Sequence, residues 1–347
     1  MHRPLVQTLT DAGKPTCEFL TGDGSELLIL PHGGRVLGLF APGSAENFFW
    51  SHPCLEQTSS AAEFYAGSEW HNSGGDRLWL APEVDFFFPN YPSTDVYFQP
   101  RQLDPGQWQL TRETETVSLV NRLTCRLTRS KADVEMELRR VLGAAANPLR
   151  HESCFSRLSK VEYAGYRLTS SIDLLSGEQR VGLWNLVQMP HGGDLLVPTY
   201  GRSEPKLFFG SPPPGDVETR DGLVLFHMRA QGEFKFAVRA AAATGRVGYR
   251  YRTSSGKWAL LIRNACIDPS GDYEDVPWTE PDDRGYAIQI CNVNSALGSF
   301  AEMEYHVPAV GPGTGRNRCA DVCQTWAFRG SREEIDEIVS CLLIREQ

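Results

Sequence analysis

Residues 117–128, VSLVNRLTCRLT, and residues 134–142, VEMELRRVL, alternate apolar and polar side chains with a period of two. That period sends successive side chains to opposite faces of an extended chain, so both segments are predicted strands with one face on a core. The same signal, bounded by Gly, Pro, Asn and Asp, recurs at 26–31, 35–40, 161–170, 234–240, 246–252, 257–264, 285–292 and 300–307. Helices are few. In SREEIDEIVSCLLI (331–344), Ser331 and Glu334 have capping-box spacing, and Ile335, Ile338, Val339, Leu342 and Leu343 share one face, so this helix is expected on the outside of a sheet. A shorter helix is expected over 59–68. There is no strand–helix–strand alternation, no internal repeat and no linker beyond the proline-stiffened SPPPGD at 211–216. The pattern predicts an all-β, mainly antiparallel fold of two packed sheets, one large β-sandwich domain over 1–347.

Composition narrows the partners. With 43 acidic and 34 basic residues among 347, the net charge of −9 and the lack of a local basic patch speak against nucleic acid. The opening MHRPLVQTLTDAGKP lacks a secretory pattern, and no apolar run is long enough to span a membrane, so no membrane partner and a cytoplasmic location are expected. The cysteines read as mostly buried thiols, with Cys125, Cys266 and Cys291 inside apolar strand patterns. Cys319 and Cys323 form a lone C-x3-C without a second pair, and HExxH, P-loop and EF-hand patterns are absent, so no metal or other cofactor is expected.

Chemistry-bearing residues gather in a few places. WHNSGGDRLWLAPE (70–83) combines Trp70 and Trp79, which can stack on a sugar ring, with His71 and Arg77, which can bind hydroxyls. Gly74 and Gly75 permit a tight turn or a close approach, and Glu83 is expected to orient Arg77 or to touch the ligand itself. In a structural reading of the same stretch, Arg77 pairs with Asp76 or Glu83 and the tryptophans are core. His191, in the turn of QMPHGGD, is either a general acid or a surface histidine. In FAEMEYHVP (300–308), Glu302 and Glu304 project from one face, roughly 6.5 Å apart by strand geometry. Met303, Tyr305 and Val307 take the opposite face, which leaves the glutamates solvated or lining a concave outer surface. The acidic run 268–285 around Trp278 is expected to be a solvated loop near the site.

In this order, the pieces resemble the galactose mutarotase-like superfamily of aldose 1-epimerases and hexose-phosphate epimerases. The resemblance rests on LLILPHGGRVLGLF (27–40), the stretch from His71 to Trp79, His191, and AEMEYHVPAV (301–310), and it spans nearly the whole chain. GGDRLWLAPE looks closest to uncharacterised members. The resemblance implies a large β-supersandwich and cofactor-free interconversion of sugar anomers, with His191 as acid, Glu304 as base and His71 and Arg77 binding hydroxyls. Trp79, Glu83 and Glu302 complete the expected substrate-binding set. The family's Asn-His-x-x-Phe-Asn pattern around the mid-chain histidine is missing, and Gln289 stands where a glutamate is expected. The competing reading is therefore a sugar-binding or sensing protein without turnover. A polysaccharide lyase or hydrolase fits less well, for want of a helical domain.

Overall fold

The computed structural model describes residues 4–344. Among them, two antiparallel sheets face one another. The first, nine-stranded, runs in the order Cys17–Leu20, Glu26–Leu30, Arg35–Phe40, Asp76–Ala81, Val181–Met189, Gly298–Val310, Tyr286–Ser295, Phe234–Arg239 and Lys206–Gly210. The second, ten-stranded, is centred on Arg318–Gly330 and Glu162–Ser176, with the long Asp133–Ala144 and Thr116–Arg126 strands beside them. The strands expected from alternation are present. Asp76–Ala81 and Val181–Met189 escape that signal because every residue in them is buried, which removes the polar half of the pattern.

The main core lies between the sheets and takes Leu78, Leu183, Met303, Tyr305 and Val307 from the first and Leu138, Tyr166, Tyr249 and Leu261 from the second. The Arg332–Leu342 helix begins with the expected reciprocal Ser331–Glu334 cap, and it packs on the outside of the second sheet against Leu260, Ile262, Trp326 and Phe328. The expected 59–68 helix forms as Thr58–Ala66. Together with an N-terminal helix, Pro4–Asp11, it covers Leu28, Leu30, Leu37 and Phe40 on the outer face of the first sheet. No helix among the described residues is long and apolar enough to cross a membrane. Cys125 and Cys291 are buried, but Cys266 is exposed: its strand, Trp258–Asn264, ends before it, and the thiol does not pack as expected.

A fully buried ion cluster ties the sheets together. Asp76 accepts from Arg140 (2.5 Å) and Arg263 (2.5 Å) of the opposite sheet and from the Tyr166 hydroxyl. Arg140 also donates to the carbonyls of Gly34 (2.6 Å) and Asp76 itself (3.1 Å). The structural reading that paired Arg77 with Asp76 thus fails, because alternation points the two side chains to opposite faces of the sheet. Gly74 (φ +99°) and Gly75 (φ +75°) allow close backbone approach, since a Cβ at Gly74 would stand 2.4 Å from the Trp50 carbonyl and one at Gly75 2.3 Å from that of Val36.

Removing one member of such a cluster strands the others without solvent. Asp76→Asn should therefore lower unfolding stability by about 3–5 kcal/mol, measured by urea denaturation; a loss below about 1 kcal/mol would show that the cluster does not hold the sheets.

Candidate functional site

The outer face of the first sheet is not covered along its whole length. Beyond the two helices, the chain around Phe88, Tyr97, Trp278 and Leu297 arches over it and encloses a cavity of about 260 Å³. Strand register dictates what lines the floor. Arg77 stands opposite Leu186, Leu186 opposite Glu304, and Glu304 opposite Gln289. In the next row, Gln188, Glu302, Cys291 and Lys235 lie side by side on four adjacent strands. A third row pairs Trp79 with Trp184 and Trp184 with His306.

Two ion-paired groups result. Arg77 reaches Glu302 (3.1 Å) and Asn72 (3.1 Å), and its guanidinium lies 4.0 Å over the Trp79 ring. Gln188 donates to the same Glu302 oxygen (2.9 Å). Lys235 sits 3.2 Å from Glu83 and 3.3 Å from Glu304, with Asp275 at 3.9 Å and the Trp184 ring 4.0 Å away. Glu83 also accepts from the Tyr97 hydroxyl (2.9 Å) and the Trp278 indole (3.2 Å). Glu83 therefore belongs to Lys235, not to Arg77 as the sequence suggested.

Glu304 is the unusual member. One oxygen, Oε2, accepts from the Trp184 indole (2.7 Å) and faces Lys235, while Oε1 is buried with no partner among the described residues. Burial pushes its carboxyl up to about 8; Lys235 opposes the rise, and Glu302 and Glu83 add to it. Burial alone would pull the Lys235 ammonium down, but Glu304, Glu83 and Asp275 outweigh it and hold the lysine above its usual range. Burial also raises the Cys291 thiol, reinforced by Glu302 and Glu304. Cys291, Glu302 and Glu304 each place one donor atom within 4.8 Å of the others, so these three could hold a metal ion. The neighbouring Arg77 and Lys235 charges work against a dication there.

Of the residues singled out from sequence, Arg77, Trp79, Glu83, Glu302 and Glu304 line one cavity. His71 does not join them. It lies in a separate recess of about 170 Å³ with Lys14, His32 and Arg101, behind Trp70, which lines both spaces. Nor does His191 line the cavity: its Nδ1 is 3.0 Å from the Ser299 hydroxyl, and its ring lies against Asn292 and the Phe300 backbone. The acidic run is only partly solvated, since Asp275 is fully buried and Trp278 forms a wall. Sequence reasoning missed Trp184, Lys235 and Cys291. A signal for Lys235 existed in FKFAVR, where alternation puts a lysine on the face opposite two phenylalanines.

The Glu304 carboxyl makes stability depend on pH. Folded, it keeps its proton up to about pH 8, while the unfolded chain releases it near 4.5, so the folded state is penalised progressively as pH rises between those values. Glu304→Gln removes that penalty. From about pH 5 to 8 the wild type should lose roughly 2–4 kcal/mol more than the variant in urea titrations, and parallel pH profiles would contradict a Glu304 carboxyl kept protonated by burial.

No family model and no curated protein sequence matches the chain. Among solved structures, it is similar to a putative aldose 1-epimerase from Escherichia coli K12, at 10% identity over 91% of this chain and 99% of that one, with a TM-score of 0.47. It is also similar to a galactose 1-epimerase from Lactobacillus acidophilus, at 11% identity over 91% and 96% of the two chains, with a TM-score of 0.48. A GalM/aldose epimerase homologue from C. elegans matches at 10% identity over 92% and 99%, with a TM-score of 0.44.

Proposed function

We propose that the cavity binds a monosaccharide and interconverts its anomers, with Glu304 and Glu302 moving the protons. The observation that carries this reading is the pair of buried carboxyl groups, with donor oxygens within 4.8 Å of each other, in a cavity walled by tryptophans. A cyclic hemiacetal carries its anomeric hydroxyl and its ring oxygen on one carbon, so two such groups can serve both oxygens at once.

The protons balance without a cofactor. Glu302, ion-paired with Arg77, takes the anomeric hydroxyl proton as the bond from the anomeric carbon to the ring oxygen breaks. Glu304 protonates that ring oxygen, and its carboxyl, pushed up to about 8, carries the needed proton at neutral pH. Rotation about the adjacent carbon–carbon bond exposes the other face of the aldehyde. Ring closure then returns a proton to Glu304, and the new anomeric hydroxyl takes one from Glu302. Trp70, Trp79, Trp184 and Trp278 wall the space, and Arg77 and Gln188 orient Glu302. His191, held by Ser299 beside Phe300, has no part in this scheme.

A second reading, binding without turnover, draws on the contacts that Glu304 already makes with Trp184 and Lys235, which would restrain a proton-transferring carboxyl. One set of measurements separates the two. Polarimetry or saturation-transfer NMR on an aldose panel should show catalysis that declines above about pH 8. Glu304→Gln and Glu302→Gln should each lower kcat by about 10²- to 10⁴-fold, and His191→Ala should leave it unchanged. Tight sugar binding with no rate above buffer would support the second reading. A His191→Ala rate as low as that of Glu304→Gln would return the acid role to the histidine.

A further inference from the structure

The charges around the cavity do not balance. Glu83, Glu233, Glu302 and Glu304 line it against two cations, Arg77 and Lys235, and Asp275 stands directly behind Lys235. Arg77 is taken by Glu302, and Lys235 is shared among Glu83, Asp275 and Glu304. The surplus falls on Glu304, which is 1% exposed and whose Oε1 has no partner among the described residues. An anionic ligand would meet this surplus directly. A phosphate, carboxylate or sulfonate on the sugar would also have to compete with buried carboxylates for both cations, at a desolvation penalty.

Resting on the reading of the cavity as a sugar site, we propose that its preferred ligands are amino sugars, whose ammonium group binds the unpartnered Glu304 oxygen beside the aromatic walls. An ammonium supplies the three things the cavity lacks: a positive charge, donors for Oε1, and a compact head able to rest against an indole face. It also displaces the proton that Glu304 otherwise carries at neutral pH, where its carboxyl is raised to about 8, so an amino sugar held this way blocks the acid step and competes with the neutral sugar that is turned over. Binding an ammonium therefore expels a proton from the protein, whereas binding a neutral hexose does not. A divalent metal also brings positive charge, but two resident cations flank its would-be donors, and a singly charged ammonium is repelled less.

Isothermal titration calorimetry tests this on the full chain, at about pH 6.5 in buffers of different ionisation enthalpy. The probes are glucosamine, galactosamine, 6-amino-6-deoxyglucose, glucose, galactose, glucose 6-phosphate and glucuronate. At least one amino sugar should bind about tenfold or more tighter than its neutral parent and release close to one proton, and the two anionic sugars should bind weakest. Glu304→Gln should abolish both the proton release and the preference. If this variant does not fold, the wild-type ranking and proton count still decide. Equal binding of amino and neutral sugars, or tighter amino-sugar binding without proton release, would overturn the proposal while leaving the sugar-site reading intact. Absence of binding and of anomer interconversion for every probe would overturn both.

Discussion

Everything at the cavity depends on a carboxylate that never reaches it. Asp76 lies between the sheets, bound by Arg140, Arg263 and Tyr166 from the opposite layer. A charge so fully buried is tolerated only with near-complete pairing, which leaves the Asp76–Ala81 strand one register and one depth. Alternation does the rest. With Asp76 fixed inward, Arg77 and Trp79 must face outward, and the neighbouring strands align Trp184, Gln188, Glu302 and Glu304 with them.

The outer face thereby becomes a second interior, and a polar one. The main core is mostly apolar, apart from the Asp76 cluster, and is closed by the two sheets. The cavity floor holds ionised groups that the loops at 83–99 and 275–278 shield from water. In that setting each charge is expensive alone and strongly coupled to its neighbours, so the array survives by sharing partners. Lys235 shows how far this goes: one ammonium serves three carboxylates and an indole face. A shift of any one group would leave another unpaired. Such an array suits the proposed proton transfers, which need Glu302 and Glu304 at a fixed separation.

The sequence disclosed the fold more fully than the site. Period-two segments such as 117–128 and 134–142 declared strands because one of their faces is solvated, and the capping box at Ser331 declared the last helix. The same logic placed Glu302 and Glu304 on one face, opposite Met303 and Tyr305. It failed for Val181–Met189, buried on both sides, and so Trp184 and Gln188 went unread. Partners separated by more than a hundred residues carry no local signal. Nothing near Glu83 announces Lys235, 152 positions away, and the nearest plausible cation, Arg77, drew the wrong pairing. His71 was legible as a polar residue in a site-like loop, but Trp70 separates it from the cavity, a boundary that only packing reveals.

In the proposed scheme the acid is a carboxyl where the family resemblance implies an imidazole, and the coupling of buried charges accounts for that difference without a change of architecture. Proton transfer to a ring oxygen needs a group that carries a proton near neutral pH, and chemistry does not specify which. A histidine meets that need when exposed. A glutamate meets it only when burial and neighbouring carboxylates disfavour its charge, and Glu304 has both. His191 is pulled the other way, since burial lowers its basicity in a niche beside Phe300. Surplus negative charge at the cavity and a protonated Glu304 are thus one feature: the proton neutralises the charge that Arg77 and Lys235 leave uncompensated. Any ligand that brings its own positive charge competes with that proton directly, which places ligand choice and proton inventory under the control of the same oxygen atom.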